Sequence, residues 1–393
     1  MKYDLTDKNF LTWAEIDLKA LRHNYLQIRR LARKQIGQDP PPGLAHRRPR
    51  AVAILAVIKA DAYGHGMLRI ASELDKLGAD FLAVSDVAEG VQLRKHGIKK
   101  PVVLLESSLP FLAKQIVDYG LTPTVCHFPL ASAIQRYASS VNKKVDVHVK
   151  VDTGMGRMGV RYEEAENFIK CLAAFPSLRV RGLYTHFPVA DTDTRFTRRQ
   201  INDLTDLVRR LDHQALVIPY IHAANSMGLG RYRMPVFNVA RPGLMLYGLY
   251  PAENLRPTIR LKPVMSVKTR AIFVKHIPKG AGVSYGHTFV AKRRMTVATL
   301  PIGYQDGYFR CLSNKSCALV RGQRCPLIGR VTMDQIVVDV TGLKNVRLGE
   351  EVVMLGAQGR RQVSADELAD HAGTISYEIV CNLGNRLPRV YLR

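Results

Sequence analysis

Residues 51–66 read AVAILAVIKADAYGHG: eight apolar residues, then Lys59, then a polar loop that contains two glycines. A short apolar run bounded by such a loop is typical of a strand buried on both faces of a parallel sheet. Lysine is unusual at the end of a buried strand, because burying an ammonium group is costly unless it is paired or neutralised. The stretch therefore predicts a parallel α/β fold and a chemical role for Lys59.

Seven further apolar runs follow before residue 250, and helix-like amphipathic segments separate them. The runs are DFLAVS, PVVLLE, TPTVCH, VDVHVKV, VRGLYTH, YIHAAN and FNVAR. Eight strands that alternate with helices predict an N-terminal (β/α)8 TIM-type barrel, which we assign to residues 1–257.

The pattern changes after residue 257, where strand-like runs such as MTVATL, QIVVDV and EEVVMLG are separated by short turns. The one good helix, SADELADHAG, begins at Ser364 and has Glu367 three residues on, which is an N-capping pattern. We therefore expect a mostly antiparallel β domain at residues 258–393. A first strand around residues 12–18 is expected to pair with this second domain.

Composition excludes several classes of protein. The net charge is +25, but the basic residues are spread along the 393-residue chain, and only the proline-rich segment 29–50, predicted as a surface loop, concentrates them. With no recognition motif, we expect a solvated basic surface and no nucleic-acid partner. The chain start lacks a signal pattern, and no apolar stretch approaches the roughly 20 residues that span a bilayer, so we expect a cytoplasmic protein. Six cysteines without a CxxC pair suggest no metal site.

Polar residues follow the predicted barrel strands, and catalytic groups of such barrels lie at the carboxyl ends of the strands. These residues are Lys59, Lys150, Arg157, His186, Asn225, Ser226 and Arg241. A lysine in this place suggests either a general base or a Schiff base. A Schiff base with pyridoxal phosphate would need a phosphate cradle, for which ANSMGLG and ARPGLMLYG offer backbone N–H groups and a serine hydroxyl.

Nine segments together resemble a known family. They are IKADAYGHG, KVDTGMGRMG, THF, ANS, ARPGLMLYG, VSYG, IGYQDG, GRVTMDQ and SYE. Their order and spacing are similar to those of alanine racemases, fold-type III pyridoxal phosphate enzymes with a barrel followed by a β domain. The resemblance runs from Lys59 to Tyr377. It implies the interconversion of L-alanine and D-alanine, with D-alanine supplied for peptidoglycan.

The resemblance also implies roles for single residues. Lys59 would bind the cofactor and act as one acid/base group, and Tyr285 would be the opposing base. The further cofactor contacts would be Tyr63, His186, Asn225, Ser226, Arg241, Gly243 and Tyr377; the substrate contacts would be Arg157, Tyr304, Met333 and Asp334. Lys150 corresponds to a lysine that is carbamylated in some members. Because Tyr285, Tyr304 and Met333 enter from the other subunit in this family, we expect a homodimer with shared active sites.

These residue types suit racemisation. A proton must leave Cα on one face and return on the other, so two bases are needed. A tyrosine pKa near 10 is high for a base, and Arg157 would favour the phenolate. Arg241 would face the pyridine nitrogen; because arginine only donates hydrogen bonds, that nitrogen should stay unprotonated.

Alternatives remain at this point. A pyridoxal phosphate decarboxylase would need a carboxylate where Arg241 stands, and a barrel that only binds the cofactor would need no β domain. A serine or broad-specificity racemase is disfavoured because Tyr304, Tyr377 and Met333 leave little room beyond a methyl group. Lys150 could simply pair with Asp152, Tyr285 could be a plain hairpin residue and Met333 could pack in a core. Residues 36–50 resemble an insertion, and Thr332 stands where some members have cysteine.

Overall fold

The computed structural model describes residues 10–49 and 51–393. Arg50, which ends the predicted basic loop, and residues 1–9, on which the expectation about a signal pattern depends, lie outside the described residues. The chain divides into two compact units. The barrel unit comprises residues 22–62 and 67–261, and the β unit comprises residues 10–21, 63–66 and 262–393. The predicted domain limits at 1–257 and 258–393 remain a prediction.

The described residues form the following helical segments: α1 Leu18–Gln35, α2 Lys59–Gly64, α3 Met67–Lys76, α4 Val87–Lys95, α5 Ala113–Asp118, α6 Phe128–Ser140, α7 Tyr162–Ala173, α8 Thr194–His213, α9 Ser226–Arg231, α10 Ala365–Ala372 and α11 Ser376–Cys381. None of the described helices is both long and apolar enough to cross a membrane.

The strands over the same residues are β1 Thr12–Asp17, β2 Ala53–Val57, β3 Phe81–Val84, β4 Val102–Ser107, β5 Thr122–Val125, β6 Val145–Asp152, β7 Val160–Arg161, β8 Leu178–Tyr184, β9 Tyr220–His222, β10 Val239–Ala240, β11 Met265–Arg270, β12 Phe273–Ile277, β13 Gly282–Val283, β14 Phe289–Val290, β15 Met295–Leu300, β16 Cys317–Val320, β17 Gln323–Pro326, β18 Ile336–Asp339, β19 Glu351–Gln358, β20 Arg361–Val363 and β21 Arg389–Leu392.

Eight parallel strands form the barrel unit, in the order β10-β2-β3-β4-β5-β6-β8-β9, and the short β7 pairs with β6. Two backbone hydrogen bonds link the segments at the two ends of this order: Asn238 N–H donates to the Ile221 carbonyl at 3.1 Å, and Arg241 N–H donates to the Ala224 carbonyl at 2.8 Å. The sheet is thus a nearly closed barrel, and each of the eight predicted runs overlaps one of its strands. The predicted fold is confirmed.

Strands of the barrel are buried on both faces; every residue of β3 and β5 is buried. The outer helices are amphipathic. In α8, for example, Ile201, Leu204 and Leu211 lie on a buried stripe, and the helix begins where Asp193 accepts the Phe196 N–H at 2.9 Å. Burial of these stripes against the strands holds the carboxyl ends of the strands at one rim.

The basic segment 29–50 differs from the predicted surface loop. Residues 29–35 belong to α1, and Arg47 is only 8% exposed. The Arg47 guanidinium donates from Nε to Asp212 on α8 at 2.8 Å and from Nη1 to the Ile218 carbonyl at 2.5 Å. A buried arginine is stable here because a carboxylate and a carbonyl satisfy it, so this segment is anchored on the barrel.

The β unit is mostly antiparallel, as predicted. Its main sheet has the order β17-β16-β19-β11-β1-β21, with β20 on β19, and a second sheet has the order β12-β15-β18. β1 pairs antiparallel with β11 and parallel with β21. The first strand of the described chain is therefore part of the same sheet as the last.

Two helices interrupt the β unit, where the sequence predicted one. The hydroxyl of Ser364 accepts the Glu367 N–H at 3.0 Å, so α10 begins at the predicted N-cap. The Glu367 carboxylate contacts Arg324 instead of completing a capping box. α11, with Ile379 and Val380 buried, was missed, because six residues are too few to reveal a helical period.

Candidate active site

Lys59 follows β2 and directly precedes a turn with a left-handed backbone conformation. Ala60, Asp61, Ala62, Tyr63 and Gly64 all have positive φ angles, between 52° and 77°, so residues 60–64 form a left-handed turn. Each non-glycine residue in this conformation costs about 1–2 kcal/mol relative to the right-handed one. Such strain persists only where surrounding groups hold the backbone, and it concentrates at functional sites.

Four cationic side chains gather with His186 at the carboxyl ends of the barrel strands. Burial and the charges of Arg241, Lys150, Arg157 and Lys59 lower the His186 pKa to about 3. This histidine is therefore neutral near pH 7. We call these five residues the barrel mouth; no ion pair joins any of its four cations to a carboxylate in the described part of the chain.

Arg241 is one of two buried cations in this set, at 5% exposure. Its Nη2 donates to the carbonyls of Thr185 at 2.7 Å and Ala223 at 3.1 Å, and to Nδ1 of His186 at 3.3 Å. Burial lowers the Arg241 pKa to about 10, which leaves the guanidinium charged near pH 7. Nε and Nη1 find no acceptor among the described residues, so this cation has hydrogen-bond donors to offer a ligand.

Lys150 is the other buried cation, at 3% exposure. Burial, Arg241 and Arg157 lower its pKa to about 8, against an opposing effect of Asp152. Asp152 does not form an ion pair with it within the described chain. Instead, Oδ1 of Asp152 accepts the N–H groups of residues 154, 155 and 156 at 2.8–3.1 Å. The alternative of a simple Lys150–Asp152 pair is wrong, and Asp152 shapes the loop that leads to Arg157.

A group of backbone amides surrounds Ser226. Its Oγ accepts the N–H of Gly243 at 3.1 Å and that of Met245 at 3.3 Å. Oδ1 of Asn225 accepts the Gly228 N–H at 2.8 Å. The Gly243 amide is thus engaged by Ser226, while the serine hydroxyl, which accepts in both contacts, keeps its own proton to donate.

Two buried histidines beneath the mouth were not singled out in the sequence. Nε2 of His222 lies 3.0 Å from Nδ1 of His148, and the ring of Tyr184 stacks on His222 at a centroid distance of 4.7 Å. Burial and Arg241 lower the pKa of both, to about 3 for His148. Both lie inside apolar runs, VDVHVKV and YIHAAN, and a polar residue within a buried strand was the signal that could have revealed them.

In the β unit, three of the predicted motifs lie side by side. Tyr304 N–H donates to the Thr332 carbonyl at 3.0 Å, and the Ser284 hydroxyl donates to the Arg330 carbonyl at 2.8 Å. VSYG, IGYQDG and GRVTMDQ are thereby joined. Tyr285, Tyr304 and Met333 are 72%, 42% and 52% exposed.

The exposed fraction of Met333 and the backbone before Tyr285 decide between the alternative interpretations of these two residues. Met333 is not a core residue, because half of its surface is open. Tyr285 does lie in the connection of a hairpin, between β13 and β14, but Ser284 before it has φ 62° and ψ −171°. A non-glycine residue in that region is strained, so this is more than an ordinary hairpin turn.

The remaining predicted residues lie elsewhere in the β unit. The rings of Tyr63 and Tyr377 have centroids 6.2 Å apart, and burial raises the Tyr63 pKa. A Cβ at Gly64 would lie 2.2 Å from the Val380 carbonyl oxygen, so only glycine fits beside α11. Asp334 accepts a hydrogen bond from Arg386 Nη1 at 2.7 Å, so its carboxylate already has a cationic partner.

Comparison with known proteins gives concordant matches over most of the chain. Family models described as "Alanine racemase, N-terminal domain" and "Alanine racemase, C-terminal domain" match residues 44–251 and 264–391. The alanine racemase of Halothermothrix orenii is 42% identical over 381 residues, covering 97% of this chain and 96% of that one. That of Carboxydothermus hydrogenoformans is 40% identical over 382 residues, covering 97% and 99%.

Solved structures agree. An alanine racemase from Clostridium difficile superposes with a TM-score of 0.89 at 33% identity, covering 98% of this chain and 97% of that one. The alanine racemase of Bacillus anthracis, with bound L-Ala-P, superposes with a TM-score of 0.87 at 32% identity, covering 99% and 96%.

The buried histidines predict a dependence of stability on acid. His148 has a pKa of about 3 when folded against an ordinary 6.5, so the folded state binds fewer protons between these values. Stability is therefore present above pH 6.5 and is lost as the pH falls towards 3, by up to about 1.4 kcal/mol per pH unit for this residue. We expect His148→Gln to make the fall in the free energy of unfolding shallower, as measured by urea titration at several pH values. The exposed His96→Gln is the matched control, and equal slopes in all three proteins would contradict the prediction.

Proposed function

The chain belongs to the alanine racemase family of isomerases, and from that membership we propose that it interconverts L-alanine and D-alanine with pyridoxal phosphate bound in the barrel unit. The observation that carries the proposal is the barrel mouth. A lysine directly before a strained turn, a buried arginine with unused donors and a neutral histidine lie at one rim. A serine racemase finds no support among the relatives, which are named for alanine.

The residues present fit this cofactor. A phosphate needs hydrogen-bond donors and positive charge, which the Ser226 hydroxyl and the cations of the barrel mouth offer. A ring nitrogen needs a donor, which Arg241 retains. Lys59 would hold the cofactor, with further contacts from Tyr63, His186, Asn225, Ser226, Arg241, Gly243 and Tyr377. When bound, pyridoxal phosphate withdraws electrons from Cα of the amino acid and makes its proton acidic.

Arg241 sets the character of the ring site. It is buried, it remains charged near pH 7, and no carboxylate pairs with it in the described chain. A guanidinium only donates, so a ring nitrogen against it stays unprotonated. This argues for a racemase and against the decarboxylase alternative, which would need a carboxylate at this position.

Two residues would move the proton. Lys59 would act on one face of Cα, and Tyr285, contributed by the partner subunit, would act on the other. Arg157 is exposed and would orient that tyrosine and bind the substrate carboxylate. Tyr304, Met333 and Asp334 would complete the substrate site.

A homodimer with shared sites is supported by the exposed side chains of the β unit. Tyr285, Tyr304 and Met333 are large and partly apolar, and hydrogen bonds join the segments that carry them. Exposed large side chains on joined segments are typical of an interaction surface. In a twofold dimer the same patch serves both protomers.

Lys150 is suited to carbamylation. Its lowered pKa gives a neutral amine at mildly alkaline pH, and only the neutral amine attacks carbon dioxide. The ammonium form first loses one proton, and the neutral amine then forms an N–C bond to carbon dioxide and releases a second proton. A buried cation is thereby replaced by an anion beside Arg157 and Arg241. The local excess of positive charge favours that product.

In the cell, the enzyme would act in the cytoplasm and supply D-alanine for peptidoglycan. Degradation of D-alanine would use the same site and the same chemistry.

The activity can be tested by the loss of circular dichroism from L-alanine and, separately, from D-alanine, with protein and pyridoxal phosphate present. The signal should fall to zero from both enantiomers, because racemisation is symmetric. Lys59→Ala and Tyr285→Phe should each lower the rate by roughly 10²–10⁴-fold, as expected for loss of an acid/base group. Full activity in either variant would refute its role, and decay with serine alone would change the substrate.

Shared sites can be tested by complementation. A dimer of one Lys59→Ala chain and one Tyr285→Phe chain holds one intact site and one doubly defective site. Random mixing of the two inactive variants should therefore restore about one quarter of the wild-type activity. Activity no higher than the sum of the separate variants would mean that each site is built from a single chain.

Carbamylation can be tested with isotopically labelled bicarbonate and carbon NMR. A carbamate signal should appear in the wild type, should grow as the pH rises through about 8 and should be absent from Lys150→Arg. Lys143→Arg, at an exposed lysine of the loop before β6, is the control and should keep the signal. A signal that survives in Lys150→Arg would assign the modification to another lysine.

A further inference from the structure

The left-handed turn after Lys59 needs a group that holds it. The backbone N–H groups at the start of any helical turn have no partner within the turn. Here the amides of Ala60 and Asp61 are in that position, directly after the residue proposed to bind the cofactor. Within the turn, the Ala62 N–H already bonds back to the Ile58 carbonyl at 2.8 Å.

Glu89, in the first turn of α4, supplies the missing acceptor. Its Oε1 accepts the Ala60 N–H at 2.7 Å, and its Oε2 accepts the Ser85 N–H at 2.8 Å. Its carboxylate also accepts from the backbone of Asp61. One carboxylate thus joins the turn that follows β2 to the residue that follows β3.

The carboxylate of Glu89 is not part of an ion pair. Among residues 10–49 and 51–393, no lysine, arginine or histidine bridges to it, although it is half-buried. Burial raises its pKa, and the amides of Ser85, Ala60 and Asp61 oppose that rise. The Glu89 carboxylate thus accepts hydrogen bonds from the backbone N–H groups of Ala60, Asp61 and Ser85. We call this set of hydrogen bonds the clamp.

The helix that carries Glu89 is itself fixed. Oδ1 of Asp86 accepts the Glu89 N–H at 3.0 Å and caps α4. A Cβ at Gly90 would lie 2.9 Å from Leu121, so this glycine lets α4 approach the barrel strands closely. The carboxylate is therefore presented to the turn from a rigid support.

We propose that Glu89 is a positioning residue for Lys59. Its carboxylate holds the backbone of the left-handed turn and thereby fixes the position of the adjacent Lys59 backbone, from which the lysine side chain extends. The clamp rests on the contacts of Glu89 alone, whereas its consequence for catalysis rests on the proposed function. Glu89 touches neither substrate nor cofactor in this account. It acts through the backbone of Ala60 and Asp61.

The test compares Glu89→Gln with Glu89→Asp and with Asp86→Ala. Glutamine keeps the size but places an N–H donor against backbone donors, while aspartate keeps the charge with a shorter reach. Asp86→Ala removes the cap of the same helix without touching the turn, so it controls for a general loosening of α4. Far-UV circular dichroism and thermal melting verify that each variant is folded.

Hydrogen–deuterium exchange of the amides of residues 60 and 61, with and without pyridoxal phosphate, reports on the clamp directly. We expect exchange to be roughly tenfold faster in Glu89→Gln, as for loss of a hydrogen bond to a charged acceptor, and intermediate in Glu89→Asp. In the holoenzyme, kcat should fall while KM changes little. The pH titration of the visible absorbance of bound cofactor should shift as well.

Unchanged exchange at residues 60 and 61 in Glu89→Gln would overturn the clamp, as would equal acceleration in Asp86→Ala. Faster exchange with kcat and the absorbance titration unchanged would overturn the positioning role. If the wild type failed to racemise alanine, the proposed function would fall, and the exchange measurement would still decide on the clamp.

Discussion

Four positive charges at one rim of a parallel barrel, without carboxylate partners in the described chain, are the constraint on which the site depends. The nearly closed parallel barrel brings the carboxyl ends of its strands together at one rim, where the charges of Lys59, Lys150, Arg157 and Arg241 all lower the pKa of His186. Their mutual repulsion and burial keep His186 neutral and lower the Lys150 pKa. An anionic ligand relieves this repulsion, and carbamylation of Lys150 would relieve it further.

Backbone strain is the second physical feature of the site, and it lies next to the lysine. A left-handed turn at residues 60–64 is unfavourable for alanine, aspartate and tyrosine. The energy of hydrogen bonds from two or three amides to a carboxylate, about 1.5–3 kcal/mol each, is of the same order as this strain. Hydrogen bonds to the Glu89 carboxylate therefore account for the persistence of the turn. The turn then sets the position of the Lys59 backbone, from which the side chain extends.

The sequence predicted those parts of the molecule that depend on local pattern. Strands buried on both faces appear as apolar runs, so all eight barrel strands were found, and the residues that follow them gave the barrel mouth. The left-handed turn was missed because Ala60 and Ala62 carry no signal of positive φ. Arg47 was predicted on a surface loop, because its partner Asp212 lies 165 residues away in sequence.

Other features depend on contacts that no local pattern encodes. His148 on β6 and His222 on β9 come together although β8 lies between their strands in the sheet, and each alone is an ordinary interruption of an apolar run. The joining of VSYG, IGYQDG and GRVTMDQ likewise depends on hydrogen bonds between distant segments, one from a backbone N–H and one from the Ser284 hydroxyl. The family resemblance supplied those motifs, whereas residue chemistry alone left Tyr285 and Met333 open.

The central claim is that Lys59 is the lysine that binds the cofactor, and it can be tested by chemical trapping. Borohydride reduction of the protein loaded with pyridoxal phosphate makes the bond between lysine and cofactor permanent, and peptide mass spectrometry then locates it. The account predicts one modified peptide, with the cofactor on Lys59. Modification of Lys150 or of a surface lysine, with Lys59 unmodified, would contradict it.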